Sequence, residues 1–227
     1  MVQSLPREKS TAGPKARNKQ LEILAAASRV FRRQGLHATG MREIAAESGM
    51  HVGNLYYYFR NKQELLAFCQ QQTLSGLLEL AETIRCRPLA ADAKLYRLVV
   101  GHVVRLNEEM PGSLAHLEVE ALDGRWRAEI LRQRDQYESA IRAFIEEGIE
   151  TGLFRQLDSG VTVKAILGAL NWTVKWFQAE GAKTSREIGA EFAELLVRGL
   201  LAPAEQASFN TPTPESGGID VGSLDNA

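Results

Sequence analysis

The stretch GMREIAAESGMHVGNLYYYFRNK, residues 40–62, decides the fold. Its first part has the composition of a short helix that places Ala45 on its inner face, and Gly49 follows four residues later. Leu55 comes six residues after Gly49. A helix-turn-helix needs this combination, because glycine accepts the left-handed backbone of the tight turn and an apolar residue on the second helix fills the shared core. The spacing therefore predicts a helix-turn-helix whose second helix covers residues 51–57.

The second helix of this motif leaves polar and aromatic side chains free to meet the major groove of DNA. Asparagine can bond an adenine edge, an apolar side chain can contact a thymine methyl, and a tyrosine hydroxyl can reach a phosphate. A lysine at the start of the next helix is placed to hold a further phosphate. The residues with these roles are His51, Val52, Asn54, Tyr56, Tyr57 and Lys62. The alternative is a helical hairpin with an aromatic core cluster at residues 56–59, and Phe59 is expected in the core in either case.

The order of the residues goes further than their spacing. From Ile23 to Leu66 the chain resembles the DNA-binding domain of the tetracycline-repressor (TetR) family of bacterial transcription regulators. The matching positions are Ile23 to Ala27, Phe31, Gly35, Thr39, Ile44, Ala45, Gly49, Gly53, Leu55 to Phe59, Asn61, Lys62 and Glu64 to Leu66. The resemblance implies a dimeric repressor, with an N-terminal three-helix DNA reader and a C-terminal helical domain that dimerises and binds a small effector.

The resemblance also implies which residues contact DNA. Base or groove contacts fall on Arg42, His51, Val52 and Asn54, and phosphate contacts fall on Tyr56, Tyr57 and Lys62. The chain departs from the family at two positions. Gly40 stands where the family usually has a serine or threonine cap, although Glu43 is present and glycine costs only a few tenths of a kcal/mol there. His51 stands where the recognition helix usually opens with serine or threonine, which makes a base contact or a pH-sensitive contact possible.

Outside this stretch the apolar spacing is helical almost everywhere, and no alternating strand pattern occurs. The predicted fold class is all-α, with about nine helices in an N-terminal three-helix helix-turn-helix domain and a C-terminal helical ligand-binding and dimerisation domain. We expect a flexible basic arm over residues 1–15 and the helix-turn-helix domain over residues 16–62. The effector-binding and dimerisation domain is expected over residues 63–202, and a disordered tail over residues 203–227.

The chain has 227 residues and a net charge of −1, which gives no sign of a nucleic-acid partner. The distribution of the charge is informative, however. Residues 1–70 contain eleven basic and five acidic residues, a charge of +6, so the remainder carries −7. Such asymmetry indicates a basic module that faces nucleic acid or a membrane, joined to a second module, although chance clustering gives the same pattern.

The sequence disfavours several other classes of protein. It has no G-x-S-x-G motif, and residues 181–184 resemble a phosphate loop without its paired glycine or a preceding strand. Its two cysteines and four histidines have no metal-ligand spacing and make no disulfide framework. No apolar run approaches the roughly 20 residues that span a bilayer, and the N-terminus lacks a secretory signal. We therefore expect a cytoplasmic protein that is not an enzyme and uses no cofactor, metal or membrane.

The C-terminal half matches a narrower pattern. Residues 167–177, with Gly181 and the last long helix, are similar to a TetR subgroup in which several members sense acyl-coenzyme A thioesters. The family's four-helix dimer bundle, carried over to this chain, implies an interface that includes Leu167, Leu170, Asn171, Val174, Phe192, Leu195 and Gly199. The alternative for each of these residues is the core of a single subunit.

The effector pocket is expected among the helices between residues 95 and 177. Its candidates are His102, Leu106, Trp126, Tyr137, Ile141 and Trp172. A histidine in an apolar stripe is also explained as a hydrogen-bonded core residue, and Trp126 and Tyr137 are also explained by helix packing. Arg97 and Arg105 either hold phosphates at the mouth of the pocket or lie on the solvated surface.

Together these observations predict a homodimeric, ligand-responsive DNA-binding repressor. Its partners would be a double-stranded palindromic operator, a second copy of the chain, and a small hydrophobic or acyl-CoA-type effector. The alternative is a helical protein that binds acyl thioesters or lipids and whose basic module meets a membrane surface. Tight binding to anionic vesicles, with poor discrimination between DNA sequences, would favour that alternative.

Overall fold

The computed structural model describes residues 14–109, 119–206 and Phe209. Within these residues the chain forms nine α-helices and no extended strand, which confirms the predicted all-α class. The helices are α1 (Pro14–Gln34), α2 (Met41–Glu47), α3 (Val52–Tyr58), α4 (Lys62–Arg85), α5 (Ala91–Val104), α6 (Gly124–Glu150), α7 (Ser159–Trp176), α8 (Ser185–Leu200) and α9 (Pro203–Gln206). A π-helical turn, Arg105–Glu109, continues α5, and a 3-10 turn, Val119–Ala121, precedes α6. None of the described helices is both long and apolar enough to cross a membrane.

Two glycines make the turns of the N-terminal module. Gly35 ends α1 with a φ of 83°, and its N–H donates to the Phe31 carbonyl at 2.9 Å. Gly49 joins α2 to α3 with a φ of 65°. Side chains rarely tolerate this left-handed backbone, so both turns depend on glycine, as the sequence predicts.

Capping groups fix the starts of α2 and α8. The Thr184 side chain accepts a hydrogen bond from the Glu187 N–H at 3.2 Å, and the Glu187 carboxylate accepts from the Thr184 N–H at 2.8 Å. At α2 the cap is Gly40, whose N–H donates to the Glu43 carboxylate at 3.0 Å. The acid half of the capping box is therefore kept at α2 although the cap residue has no side chain.

Two apolar clusters organise the molecule. The first cluster, which we call the reading-module core, combines α1, α2, α3 and the first half of α4 with Leu122 and Ile130. The second cluster, which we call the regulatory core, combines the second half of α4 with α5, α6, α7 and α8. Both α4 and α6 contribute buried side chains to each core. At 1.5 Å per residue, the 27 residues of α6 extend about 40 Å, which is long enough to reach both. The two cores are therefore joined by two continuous helices.

The structure differs from the prediction at both ends of the described chain. Helix α1 begins at Pro14, inside the predicted flexible arm of residues 1–15, and residues 1–13 lie outside the described residues. Proline is favoured at the first helical position, because its missing N–H would have no partner there.

The predicted disordered tail is corrected in its first part. Residues 203–206 form α9, and the Gln206 amide donates to the Leu201 carbonyl at 3.3 Å. Phe209 packs against the regulatory core, and the Arg198 guanidinium lies 5.6 Å from the centre of its ring. These contacts give this part of the chain an ordered position. The rest of the predicted tail lies outside the described residues, as do residues 110–118.

Candidate nucleic-acid interface

Helix α3 has a buried side and an exposed side. Leu55 is completely buried in the reading-module core, as is Phe59, which follows the helix. On the other side Tyr56 is 47% exposed and Tyr57 is 78% exposed, and the exposed surface includes Val52. We call the exposed residues His51, Val52, Asn54, Tyr56 and Tyr57 the reading face. The structure therefore brings these five predicted contact residues together on one solvent-facing surface and excludes the aromatic core cluster as the role of Tyr56 and Tyr57.

His51 caps α3 with its backbone and leaves its ring free. Its carbonyl accepts hydrogen bonds from the N–H groups of Asn54 at 2.9 Å and Leu55 at 3.2 Å. The imidazole makes no capping hydrogen bond and is exposed. Both ring nitrogens can therefore meet a base or a phosphate.

Arg42 and Lys62, the two predicted contact residues outside α3, lie in different environments. Arg42 is exposed on the first turn of α2. The Lys62 ammonium donates to the Leu36 carbonyl at 2.5 Å, and partial burial lowers the pKa of Lys62 below its ordinary value. Lys62 therefore ties the start of α4 to the segment between α1 and α2, a structural role that the sequence did not indicate. An ammonium has three N–H donors, so this bond leaves donors for a phosphate.

A charge cluster that sequence reasoning missed joins α2 to α1. The Glu47 carboxylate accepts from Arg29 at 2.7 Å and from Arg33 at 3.2 Å, and these two guanidinium groups lower the pKa of Glu47. The spacing of Arg29 and Arg33, one turn apart on α1, is a visible signal, but their partner is distant in sequence. This cluster adds a polar contact between α2 and α1 to the packing of the buried Met41, Ile44 and Ala45.

The reading-module core also receives residues from the C-terminal half. The Gln63 amide donates to the Ala121 carbonyl at 2.6 Å, and Leu122 and Ile130 are buried among the side chains of the first four helices. Trp126 lies half-buried at the same place. Its predicted role in the effector pocket is corrected, because the first turns of α6 extend to the reading-module core.

A group of polar side chains lies inside the regulatory core. The His102 Nδ1 and the Tyr137 hydroxyl are 2.9 Å apart, and both residues are buried. The Asn107 amide donates to the Thr173 hydroxyl at 2.8 Å, and Asn171 is the other polar residue beside the His102 ring. We call these four buried residues and the half-buried Asn171 the buried polar cluster; they come from α5, the π-helical turn, α6 and α7.

The buried polar cluster is neutral and only partly satisfied. Burial lowers the pKa of His102 to about 3 and raises the pKa of Tyr137, so both side chains are uncharged near neutral pH. Asn107 and Asn171 each keep a buried side-chain oxygen without a hydrogen-bond partner among the described residues. Buried polar atoms are normally paired, so these oxygens mark a place where a further donor would be stabilised.

The predicted pocket residues divide into two groups. His102, Leu106, Tyr137 and Ile141 lie buried in the regulatory core, whereas Trp172 is 60% exposed on α7. Trp172 therefore does not lie with the other predicted pocket residues in the regulatory core, and its predicted role in the effector pocket is corrected.

The two arginines considered for the mouth of the pocket also differ. Arg105 is buried, and its guanidinium donates to the Gly76 carbonyl at 2.5 Å, so the solvated-surface interpretation is wrong for this residue. Arg97 is half-buried on α5.

The predicted dimer residues divide similarly. Leu170 and Val174 are buried in the regulatory core and are corrected to core residues of one subunit, while Leu167, Asn171 and Phe192 are half-buried. Leu195 is 71% exposed, and Gly199 is exposed beside it on α8. The exposed stripe of α7 consists of Val161, Ala165, Gly168 and Trp172.

An apolar groove lies between the end of α7, the connection that follows it and the exposed side of α8. Its volume is about 540 Å³, and the Trp176 and Phe192 rings in its wall lie 6.3 Å apart. The apolar side chains that line it are Trp176, Phe177, Ile188, Phe192 and Leu195. An exposed apolar surface of this kind is typical of a protein–protein contact or a ligand groove.

Two family models match the chain. Residues 23–68 match the model described as "Bacterial regulatory proteins, tetR family", and residues 88–200 match "Tetracyclin repressor-like, C-terminal domain". The chain belongs to the TetR family. It is therefore a DNA-binding transcriptional regulator, and α3 lies within the residues that match the N-terminal family model.

Individual proteins agree with the family assignment of this TetR regulator. The HTH-type transcriptional repressor KstR2 of Mycobacterium tuberculosis is 24% identical over 186 residues, which cover 79% of this chain and 91% of KstR2. PfmR of Thermus thermophilus has a TM-score of 0.72 at 28% identity, covering 79% of this chain and 99% of PfmR. AibR, solved in complex with isovaleryl coenzyme A and operator DNA, has a TM-score of 0.69 at 23% identity, covering 81% of this chain and 98% of AibR.

Proposed function

We propose that this TetR-family regulator is a homodimeric repressor that leaves a palindromic operator when a small hydrophobic or acyl-CoA-type effector binds. The observation that carries the proposal is the reading face of α3, which is exposed while Leu55 locks the opposite side into the core. A helix held in this way can enter a major groove without rearrangement. The name of KstR2 as a repressor and the AibR complex with a coenzyme A thioester and operator DNA support the proposal.

The side chains of the reading face divide into base and phosphate contacts. Asn54 suits the edge of adenine, Val52 suits a thymine methyl, and His51 and Arg42 suit bases or the groove wall. The Tyr56 and Tyr57 hydroxyls suit backbone phosphates, as do the remaining N–H donors of Lys62. Because phosphate contacts release counterions, the affinity for DNA should fall steeply with salt.

Dimerisation is proposed through the exposed sides of α7 and α8. Leu195, Trp172 and Trp176 expose large apolar surfaces there, while Ala165 and Gly168 would let a second helix approach closely. Burying this surface against an identical one would remove it from water and give a two-fold symmetric pair. Such a pair presents two reading faces to two half-sites of a palindrome.

The buried polar cluster is the proposed effector site. Apolar residues of the regulatory core surround it, and it offers neutral donors and acceptors instead of a charge. This chemistry suits a mainly apolar molecule with one hydrogen-bonding group, such as an acyl chain with a thioester carbonyl. The adjacent π-helical turn supports the assignment, because such turns occur frequently at functional sites. The effector would act by binding one conformer of the dimer more tightly than the other.

We further propose that the two domains have the functions that the sequence predicts. Residues 16–62, together with the start of α1 at Pro14, would read DNA, and residues 63–202 would bind the effector and dimerise. We propose the cytoplasm as its compartment and regulation without catalysis as its mode of action.

The first experiment tests the DNA contacts. A footprint on the DNA beside its own gene defines the operator, and gel-shift titrations then measure Kd for Asn54→Ala and Tyr56→Ala. Loss of one good base contact corresponds to about 1–3 kcal/mol, or roughly 5- to 150-fold in affinity, for Asn54→Ala. Gln136→Ala, an exposed polar residue on α6, is the matched control. Operator binding by the Asn54 and Tyr56 variants at wild-type affinity would refute the proposed reading face.

The second experiment tests the dimer. Analytical ultracentrifugation should show a dimer for the wild type and a monomer for Leu195→Glu, because the substitution places charges in the centre of an apolar interface. Leu131→Glu changes an exposed leucine on α6 and should leave the dimer intact. A dimeric Leu195→Glu protein would exclude this face.

The third experiment tests the effector class. Isovaleryl-CoA and octanoyl-CoA are titrated into the operator complex, with free coenzyme A as the control. Release of DNA by a thioester but not by free coenzyme A supports the proposal, and His102→Gln should weaken that response. Operator complexes that persist at saturating amounts of thioesters with short, medium and long acyl chains would count against this class of effector.

A further inference from the structure

A second basic surface adjoins the reading face. Lys15 and Lys19 lie one helical turn apart on α1, so their side chains share one side of the helix. Lys15 is exposed and Lys19 is partly exposed. Lys19 lines a groove of about 410 Å³ together with Asn54 and Tyr57 of α3. Lys19 therefore faces the same space as the reading face, and Lys15 lies one turn before it on the same side of α1.

The arrangement of these charges does not serve the stability of α1. Two like charges one turn apart repel each other, and cations near the start of a helix face the positive end of its dipole. The first turn of α1 contains no acidic residue. The nearest compensation is Glu22, whose carboxylate accepts from the Lys19 ammonium at 2.5 Å. Lys15 has no ion-pair partner among the described residues, so its charge is available to an external anion.

We propose that Lys15 and Lys19 hold a backbone phosphate of the DNA strand that flanks the bases read by α3. The groove between α1 and α3 would then follow the sugar–phosphate backbone, with Lys19 on one wall and Tyr57 on the other, and Lys15 would reach the same phosphate from one turn earlier on α1. The inference rests on the proposed DNA contacts of α3. A phosphate is the same at every base pair, so this contact would raise the affinity for all duplexes and fix the position of α3 in the groove.

The test compares Lys15→Gln, Lys19→Gln and the double variant with wild type on the operator and on a random-sequence duplex of equal length. Losing the one phosphate that the two lysines share should lower the slope of log K against log salt by about 0.9 in the double variant, and each single variant should lose less. The affinity of the double variant at low salt should fall about 10-fold or more on both duplexes, which leaves the ratio of specific to nonspecific affinity unchanged. Arg186→Gln removes one exposed charge on α8 and should have no effect.

Two further variants separate DNA contact from folding. Lys15→Glu places an acid near the start of α1, where it is stabilising, so Tm should stay equal or rise while the affinity for both duplexes falls. Glu22→Gln releases Lys19 from its ion pair, so both duplexes should bind about 2- to 5-fold more tightly. A merely structural role for the two lysines would make stability and DNA affinity change in the same direction.

The outcomes distinguish this inference from the proposed function. A double variant with the wild-type salt slope, while Asn54→Ala weakens operator binding, would overturn the phosphate site and leave the reading face in place. If neither the lysine variants nor Asn54→Ala change DNA binding, the proposed DNA contacts of α3 fail as well. A reduced slope on both duplexes with an unchanged Tm supports the site.

Discussion

The polar groups proposed to bind ligands lie on the surface of the reading module but in the interior of the regulatory core. In the reading module, Asn54, Tyr56 and Tyr57 lie outside, around a core that buries Leu55. In the regulatory core, the buried polar cluster lies inside. Buried polar groups are stabilised only when they are paired, so an interior cluster with unpaired oxygens is costly without a ligand. The proposed DNA contacts therefore lie on the exposed surface, whereas the proposed effector would supply missing hydrogen-bond partners inside the core.

The largest effect on this comparison is expected from shortening one buried side chain of the reading module. Leu55→Ala removes a fully buried side chain and should cost about 2–5 kcal/mol of unfolding free energy, measured by urea denaturation. Val52→Ala, one turn away on the exposed side, should change stability by less than about 0.5 kcal/mol. Equal effects at both positions would show that α3 has no distinct buried side.

A pH titration probes the interior cluster. The pKa of His102 is lowered to about 3 in the folded protein, from an ordinary value near 6.5, because burial disfavours the charged ring. Below pH 6.5 the unfolded chain therefore binds a proton that the folded chain excludes. The stability contributed by neutral His102 is complete above pH 6.5 and is lost as the pH falls towards 3. Between about pH 7 and pH 4.5 this loss is on the order of 2–3 kcal/mol.

The variant His102→Gln isolates this contribution. Urea denaturation at several pH values should show a smaller loss of stability below about pH 6.5 in His102→Gln than in the wild type, whatever its stability at neutral pH. His37→Gln removes an exposed histidine and should keep the wild-type pH dependence. Parallel pH curves for all three proteins would mean that folding does not lower the pKa of His102.

The same contrast explains what the sequence could predict. The helix-turn-helix signals are local: Gly49 and Leu55 lie within one short stretch, and their geometry follows from backbone sterics and helical spacing. The positions of Trp126 and Trp172 are not local. A helical stripe shows which residues share a face, but it does not show which neighbour covers that face. Helix α6 reaches both cores, so Trp126 joins the first core, and Trp172 occupies a side of α7 that the described residues leave exposed.

Charged pairs show the same limit. The Lys19–Glu22 pair is visible in the sequence because both residues lie on one helix, three positions apart. The bonds from Lys62 to Leu36 and from Arg29 to Glu47 join different segments, and nothing in either segment alone indicates its partner. The sequence therefore predicts the outward face of α3 better than the contacts that hold it in place.

Two helical glycines, one from each region, allow a comparison of smaller changes in unfolding free energy. In the regulatory core, a Cβ on Gly148 would lie 2.1 Å from the ring of buried Phe154. Gly148→Ala should therefore destabilise the protein by about 1–3 kcal/mol in spite of the better helix propensity of alanine. Thermal unfolding checks this, and Gly148→Ala with Phe154→Leu should recover part of the loss because the smaller side chain makes room. A neutral Gly148→Ala would show that the interior adapts easily.

In the reading module the expected sign is reversed and the effect is the smallest. A Cβ on Gly53 would meet nothing within 4 Å, and α3 gains helix propensity when alanine replaces glycine. Gly53→Ala should raise the unfolding free energy by up to about 0.5 kcal/mol, less than at a mid-helix position because Gly53 is the second residue of α3. If operator affinity falls in the same variant, the missing side chain serves close approach of the helix to DNA. If both stability and affinity rise, Gly53 does not lie at the DNA surface. Helix α3 would then lie in the groove with Gly53 turned away from the DNA.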